Sequence, residues 1–246
     1  MIKHFFLLLS LTMGLLLLSY PDTGNANILD DYKDEWKEVF SKNEIDVYQR
    51  SVSGMPFDEF MAVGIVNARL ETLIELIRAA DCVNWAGDCI GSEIVKNITP
   101  FEKIVHFEAK VLWPVTNRDT VFKSDFKSDY ENGKVELALV SLPKDESFTY
   151  VPQTKEFVRM DYFKVCFFVE CLDKETQKIY LTVRVDPAGN VPSSIANVFG
   201  RWNPYKTLMG VRKEAKDPKY IQLGQQSSEK PMIDAYLNTI EQKEKQ

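Results

Sequence analysis

Histidine is scarce in this sequence of 246 residues, and the basic residues do not outnumber the acidic ones. It contains 2 His, and its 30 Lys and Arg are outnumbered by 36 Asp and Glu, which gives a formal net charge of −6. A surface that binds nucleic acid needs an excess of positive charge, so this balance argues against nucleic acid as a partner. It also argues against tight electrostatic adhesion to anionic lipid. We therefore expect a partner that is small, neutral, or held by contacts other than bulk charge.

The sequence also lacks the motifs of common catalytic and cofactor-binding sites. It has no G-x-S-x-G, no glycine-rich phosphate loop and no evident Ser-His-Asp order. Outside the N-terminal segment, His106 is the only imidazole, and strand alternation places it with Glu108 and Lys110 on an outer face. We predict no catalytic residue, no cofactor and no metal site.

One long apolar run is present, at the N-terminus. It extends over residues 5–18 and is shorter than the roughly 20 residues of a spanning helix. Small residues, Gly24 and Ala26, follow a polar segment. The pattern predicts a signal peptide over residues 1–26, a mature chain that starts at Asn27, and an exported protein, periplasmic or secreted. An uncleaved membrane anchor and a buried helix are the alternatives.

Four cysteines form two local pairs, Cys82 with Cys89 and Cys166 with Cys171. Export favours disulfides within each pair, although the sequence allows three connectivities and also four buried thiols. A turn at Gly87 and Asp88 brings the first two together, and we predict the disulfide Cys82–Cys89. The second two lie on opposite faces of an unbroken strand, so a bridge there needs a bend. The C-x₆-C and C-x₄-C spacings match no common zinc motif.

Periodicity predicts an α+β fold, with an antiparallel sheet of many strands between an early helical part and a long C-terminal helix. Helical spacing of apolar residues covers 28–41, 69–80 and 193–213, and Pro204 should kink the last helix or loosen one of its turns. Strand patterns cover 45–52, 58–66, 92–97, 103–111, 118–130, 134–142, 157–170 and 178–186. Asn132-Gly133 indicates a hairpin turn.

A sheet that curls around a helix leaves a hollow, and alternation indicates which side chains face it. The inward rows are apolar with a few polar atoms, which suits a hydrophobic ligand. We expect ligand contacts from the sheet residues Phe107, Arg118, Thr120, Phe122, Ser124, Leu137, Leu181 and Val183.

The late helix carries a stripe of apolar residues at steps of three and four. Such a stripe is either an ordinary face buried in the core or the floor of the hollow. We expect Phe199 and Trp202, both in this stripe, to contact the ligand.

Four motifs, in order and at matching spacing, resemble those of the START (steroidogenic acute regulatory-related lipid transfer) domain. Residues 113–119 (WPVTNRD) are similar to its "P…RD" segment, and residues 157–159 (FVR) to its following "vR" strand. Residues 185–197 (VDPAGNVPSSIAN) resemble its "DPGG-x-P…N" entry into the last helix, and Trp85 falls where the family usually has a tryptophan. Two departures are Ala188 in place of the first glycine, expected to cost little, and Ser124 where some members have a second arginine.

The resemblance implies a helix-grip fold over residues 27–216, whose curved antiparallel sheet wraps the C-terminal helix around an internal tunnel for a single lipid. The lipid would be a sterol, a phospholipid or a fatty acid, bound for transfer, storage or sensing by a monomer that contacts membranes transiently. Arg118 is the first candidate for a polar contact at the inner end, with a structural role as the alternative. A cyclase or hydrolase of the wider superfamily is the alternative function. Residues 217–246 form a polar tail that either ends in a short helix or frays.

Overall fold

Among the described residues, ten strands form one open sheet, and five helices pack around it. The computed structural model describes residues 35–111, 115–189 and 191–244, without the side chains of residues 194, 195, 199, 243 and 244. The strands are β1 (Lys37–Lys42), β2 (Ile45–Arg50), β3 (Glu59–Asn67), β4 (Cys89–Asn97), β5 (Glu102–Ala109), β6 (Asn117–Asp129), β7 (Lys134–Ser141), β8 (Phe157–Arg159), β9 (Tyr162–Cys171) and β10 (Thr176–Asp186). The helices are α1 (Leu70–Arg78), α2 (Lys144–Tyr150), α3 (Ser193–Glu214), α4 (Pro218–Gln226) and α5 (Lys230–Glu244).

The sheet has the order β1-β2-β3-β10-β9-β7-β6-β5-β4, and β8 pairs with β6. Every pair in the main order is antiparallel, and β8 alone runs parallel to its partner. The sheet does not close, because β1 and β4 remain at its two edges. The long helix α3 packs against β2, β3 and β10. This arrangement confirms the predicted α+β fold, with a curved antiparallel sheet around a C-terminal helix.

The helix predicted over residues 28–41 is wrong where the structure describes it. Residues Lys37–Lys42 form the edge strand β1, paired with β2. Asn43 and Glu44 have φ of 53° and 56°, so they make the two-residue turn that suits a hairpin. Pairing with β2 overrides the helical spacing of Trp36, Val39 and Phe40. The predicted signal peptide, and residues 28–34 of that helix, lie outside the described residues.

One further element differs from the sequence prediction. The strand predicted over 157–170 is divided at Met160 and Asp161 into β8 and β9, and the short helix α2 precedes it. The helix predicted over 193–213 is confirmed as α3, which extends from Ser193 to Glu214 with Pro204 inside it.

The C-terminal segment forms two helices that extend the domain. Asp217 caps α4 by accepting a hydrogen bond of 2.8 Å from the Lys219 amide, and Pro218 occupies the first turn. Tyr220, Ile233 and Leu237 are buried. Helix α4 packs mainly on α1, which also contacts α3 and α5. Within the described ranges, no helix is both long and apolar enough to cross a membrane.

The structure confirms the predicted disulfide and leaves the second pair of cysteines unbridged. Cys82 and Cys89 form a disulfide with their Cα atoms 6.1 Å apart. Cys166 and Cys171 are free, and both lie on the uninterrupted strand β9. Burial raises the pKa of each of these two thiols to about 11, so at neutral pH they are protonated and poorly nucleophilic.

Candidate functional site

A cavity of about 210 Å³ lies between the concave face of the sheet and α3. Its wall comes from β3, β5, β6, β9 and β10, from α3, and from the disulfide-closed segment Cys82–Cys89. The apolar part of the wall is formed mainly by Phe60, Val105, Phe107, Phe122, Phe163, Val165, Phe167, Leu181 and Val183. A cavity with this lining can bury a hydrophobic molecule.

Six of the residues expected from alternation lie on this wall. They are Phe107, Arg118, Phe122, Ser124, Leu181 and Val183. Their ligand contacts stay predictions, but the alternation placed them on the correct face of the sheet. Strand parity is reliable here because one face of these strands is continuously buried.

Two sheet residues that were expected on the wall, Leu137 and Thr120, are buried elsewhere. Ser124 and Leu139 are paired across β6 and β7 and both line the cavity, whereas the next pair, Phe126 and Leu137, packs into the core beyond its end. Thr120 is shorter than its cross-strand partner Phe107 and does not reach the wall. Parity selects a face of the sheet but does not show where along that face the cavity ends.

The late helix presents a different face to the cavity from the one expected. Small and polar residues, namely Ala196, Asn197, Gly200, Asn203 and Thr207, line the wall. Trp202 is 38% exposed and packs on the ring of Phe40, with ring centroids 4.6 Å apart. The placement of Trp202 on the cavity floor is therefore wrong, because β1 supplies a second apolar surface for this stripe. The side chain of Phe199 lies outside the described residues.

Arg118 lies on the wall near the start of α3. Its side chain is buried, and Nε donates to the Pro187 carbonyl at 3.0 Å and Nη2 to the Ala188 carbonyl at 3.2 Å. Nη1 donates to the Thr116 carbonyl. Within the described part of the chain, no carboxylate pairs with it, and burial lowers the pKa of Arg118. Arg118 therefore holds the turn before α3 and also brings an uncompensated positive charge to the cavity.

Ala188 in this turn has φ of 59°, a conformation that favours glycine. The small cost expected for alanine here is thus an underestimate, since a left-handed conformation costs a non-glycine residue roughly 1–2 kcal/mol. The hydrogen bond from Arg118 to the Ala188 carbonyl helps to hold this strained turn.

Lys103 is a polar residue of the wall that the sequence analysis missed. It lies two residues before Val105, in the same row of β5 as Phe107, so the alternation that found that row also points to it. Burial and the charge of Arg78 lower the pKa of Lys103, while Glu75 acts in the opposite direction.

The two acids of the wall are already bound to neighbouring side chains. Asp58 accepts hydrogen bonds from Gln49 at 2.6 Å and from Asn197 at 2.8 Å. Asp88 accepts from Lys206 at 2.8 Å. Asp58 keeps its negative charge, because both of these partners are neutral, whereas Lys206 neutralises Asp88. Four cations, namely Arg78, Lys103, Lys110 and Arg118, also line the wall, so its positive charges outnumber its negative ones.

A buried ionic cluster lies on the opposite face of β6. Asp119 accepts two hydrogen bonds from Arg159, at 3.0 and 2.7 Å, and is 3.0 Å from His106 Nε2. Arg159 also donates to Ser147 Oγ at 2.7 Å and to the Val151 carbonyl at 3.1 Å. Parity correctly placed His106 away from the cavity, and α2 and β8 bury this cluster. Lys110, expected beside His106, instead lines the cavity just after β5 ends.

Burial by itself would raise the pKa of Asp119, but the hydrogen bonds and charges of His106 and Arg159 outweigh it and lower this pKa. The carboxylate is thus ionised at neutral pH and fully occupied by its partners. This cluster explains the Arg-Asp pair of the sequence: Arg118 faces the cavity and Asp119 anchors the other side.

An open sheet that holds a long C-terminal helix over an apolar cavity defines a helix-grip protein. The family model described as "START domain" matches residues 28–207, and the chain belongs to this family.

Individual relatives are similar over most of their length. An uncharacterised protein of Pseudomonas aeruginosa is 24% identical over 186 residues, which cover 74% of this chain and 88% of that protein. The phosphatidylcholine transfer protein of Bos taurus is 25% identical over 163 residues, 66% of this chain and 75% of the relative. The crystal structure of a fragment of the STAR-related lipid transfer protein from Xanthomonas axonopodis is 25% identical, with a TM-score of 0.66 over 75% of this chain and all of that fragment.

Proposed function

We propose that this protein binds a single lipid in the cavity between the sheet and α3, for transfer, storage or sensing. The supporting observation is an apolar wall interrupted by a few polar groups at separate positions. The relatives from Bos taurus and Xanthomonas axonopodis are named as lipid transfer proteins, which supports the same function. An enzyme of the cyclase or hydrolase type would need a general acid or base in the cavity. The two acids of the cavity wall, Asp58 and Asp88, are bound by neighbouring side chains, and His106, the only histidine among the described residues, lies on the other face of the sheet.

Native mass spectrometry of the purified protein tests lipid binding directly. We expect a protein ion heavier than the polypeptide by the mass of one lipid, and release of that lipid on organic extraction. A protein that is uniformly empty, and that also takes up no lipid from mixed vesicles, would contradict the proposal.

We propose that Arg118 contacts an oxygen atom of the bound lipid. A guanidinium has five N–H donors, and the three backbone carbonyls leave two of them for a ligand. Arg118→Met should therefore reduce the fraction of protein that purifies with lipid. The cost to the fold should be only about 1–3 kcal/mol, because the lost partners are carbonyls and no acid is left unpaired.

Lipid occupancy by native mass spectrometry and thermal unfolding of delipidated protein separate the two roles of Arg118. If occupancy is unchanged while stability falls, Arg118 only holds the turn before α3. A fall in occupancy that is larger than the loss of stability supports the ligand contact.

A further inference from the structure

The end of the cavity next to α1 contains the ammonium group of Lys103. Lys103 Nζ donates to the Arg78 carbonyl, at 3.1 Å, and forms no salt bridge with any described residue. An ammonium group has three donors, so two remain for a molecule in the cavity. Lys103 is half-buried, and this partial loss of water around an ammonium group without a salt bridge is consistent with the lowered pKa of Lys103.

A buried hydroxyl lies beside Lys103. Ser124 is its Cα partner across β5 and β6, and residues paired in this way have Cβ atoms about 4.5–5.5 Å apart. Ser124 lines the same cavity, is only 9% exposed, and makes no hydrogen bond with a described residue. A buried hydroxyl without a partner is unfavourable, so this donor is also available to a ligand.

We propose that Lys103 and Ser124 form an anion site, and that the bound lipid carries a carboxylate or phosphate group at this end of the cavity. This inference rests on the proposed function and specifies its ligand class. One oxygen of the acidic group would accept from the ammonium and another from the hydroxyl. A neutral lipid would leave both donors without a strong acceptor.

The positions of Lys103 and Arg118, two of the cations that line the cavity, agree with an acidic lipid. Arg118 and Ser124 are six residues apart on β6, which corresponds to roughly 20 Å along the strand. The acids of the wall, Asp58 and Asp88, are held by other side chains. The acidic group therefore lies at Lys103, the chain crosses the apolar middle, and Arg118 meets a second oxygen where the lipid has one.

The size of the cavity favours a lipid with one chain. Its volume of about 210 Å³ is below the range of about 300–1,000 Å³ typical of ligand pockets. The cavity must widen for any lipid, and it must widen least for a single-chain amphiphile.

Three probes with the same hydrocarbon chain test whether the site prefers an acidic group: oleate, oleyl phosphate and oleyl alcohol. Calorimetric titration of the delipidated full chain should show at least one of the two acids binding about tenfold or more tightly than the alcohol, since a hydrogen-bonded charge is worth that much. The tighter of the two acids identifies the acidic group as carboxylate or phosphate. Lys103→Met should weaken the binding of the acids more than that of the alcohol, and so remove most of this preference.

Lys123→Met is the matched control. Lys123 precedes Ser124 in the chain but points to the outer face, where it pairs with Glu102, so this change removes the same charge without touching the cavity. The control should keep the preference for acids. Ser124→Ala should reduce it, and decides the matter if Lys103→Met does not fold.

The outcomes distinguish the two proposals. Equal binding of acids and alcohol, or an acid preference that survives in Lys103→Met and Ser124→Ala, would overturn the anion site alone. Failure of all three probes to bind the wild-type protein would overturn lipid binding, and the anion site with it.

Discussion

Arg159→Met is expected to lower the free energy of unfolding by about 3–5 kcal/mol, the usual cost of removing one partner from a buried ion pair. Arg159 is 2% exposed, and its loss would leave the Asp119 carboxylate with His106 alone. It would also remove the donors to Ser147 and Val151, which attach α2 to the sheet. Chemical denaturation monitored by circular dichroism measures the change.

Arg184→Met is a suitable control for this substitution. Arg184 donates to the hydroxyl of Tyr162, and its Cζ atom lies 4.7 Å from the centroid of the tyrosine ring. Loss of Arg184 therefore leaves no buried acid unpaired. We expect a loss of only about 1 kcal/mol. Equal effects of the two substitutions would show that the Asp119 pairing contributes little.

The same cluster should make stability depend on pH at the acidic end. Because the pKa of Asp119 is lower in the folded protein than its ordinary value of 3.8, its contribution is fully present above that ordinary value. The contribution is lost as the pH falls through the lower, folded-state pKa. Asp119→Asn should therefore be less stable than the wild type at neutral pH, and the difference should shrink on acidification below about pH 4. A difference that stays constant down to pH 2 would contradict this assignment.

Gly210→Ala is expected to destabilise the protein by roughly 1–3 kcal/mol, which is typical of overpacking. Alanine favours helices over glycine by about 1 kcal/mol, so the expected sign is opposite to the helix propensity. The reason is steric: a Cβ atom at Gly210 would lie 2.7 Å from the carbonyl carbon of Trp85 and would overlap its oxygen. Neither backbone can move away without separating α3 from the segment Cys82–Cys89.

The separation would also affect the cavity, since several hydrogen bonds join that segment to α3. Gly87 donates to Thr207 at 2.8 Å, and Asn203 donates to the Gly87 carbonyl at 2.8 Å. Hydrogen exchange at the Gly87 amide should therefore become faster in Gly210→Ala. Gly200→Ala is the control, because the atoms it would approach belong to the Phe60 ring, which borders the cavity and can turn. Unchanged stability in Gly210→Ala would contradict the close approach of the two segments.

Most strands and the face they bury follow from the sequence, because alternation is a local property of each strand. The row of Val105 and Phe107 and the row of Phe122 and Ser124 could be assigned without a structure. The disulfide Cys82–Cys89 followed from a short loop with turn residues, and the family from four ordered motifs. The helix start at Asp217-Pro218 is likewise local, because aspartate is a common N-cap and proline suits the first turn.

Tertiary structure decided the features that depend on contacts between distant segments. Helical spacing gave α3 one apolar stripe, but only the position of Phe40 on β1 shows that Trp202 packs outside the cavity. Alternation put Arg118 on the inner face and Asp119 on the outer face. It did not predict their distant partners: Pro187 is 69 residues from Arg118, and Arg159 is 40 residues from Asp119. The positive charge of the cavity is likewise a tertiary property, because it depends on which acids are already paired. The alternation of apolar and polar residues thus determined which side chains lie on each face of the sheet. Packing between elements determined which groups those side chains contact.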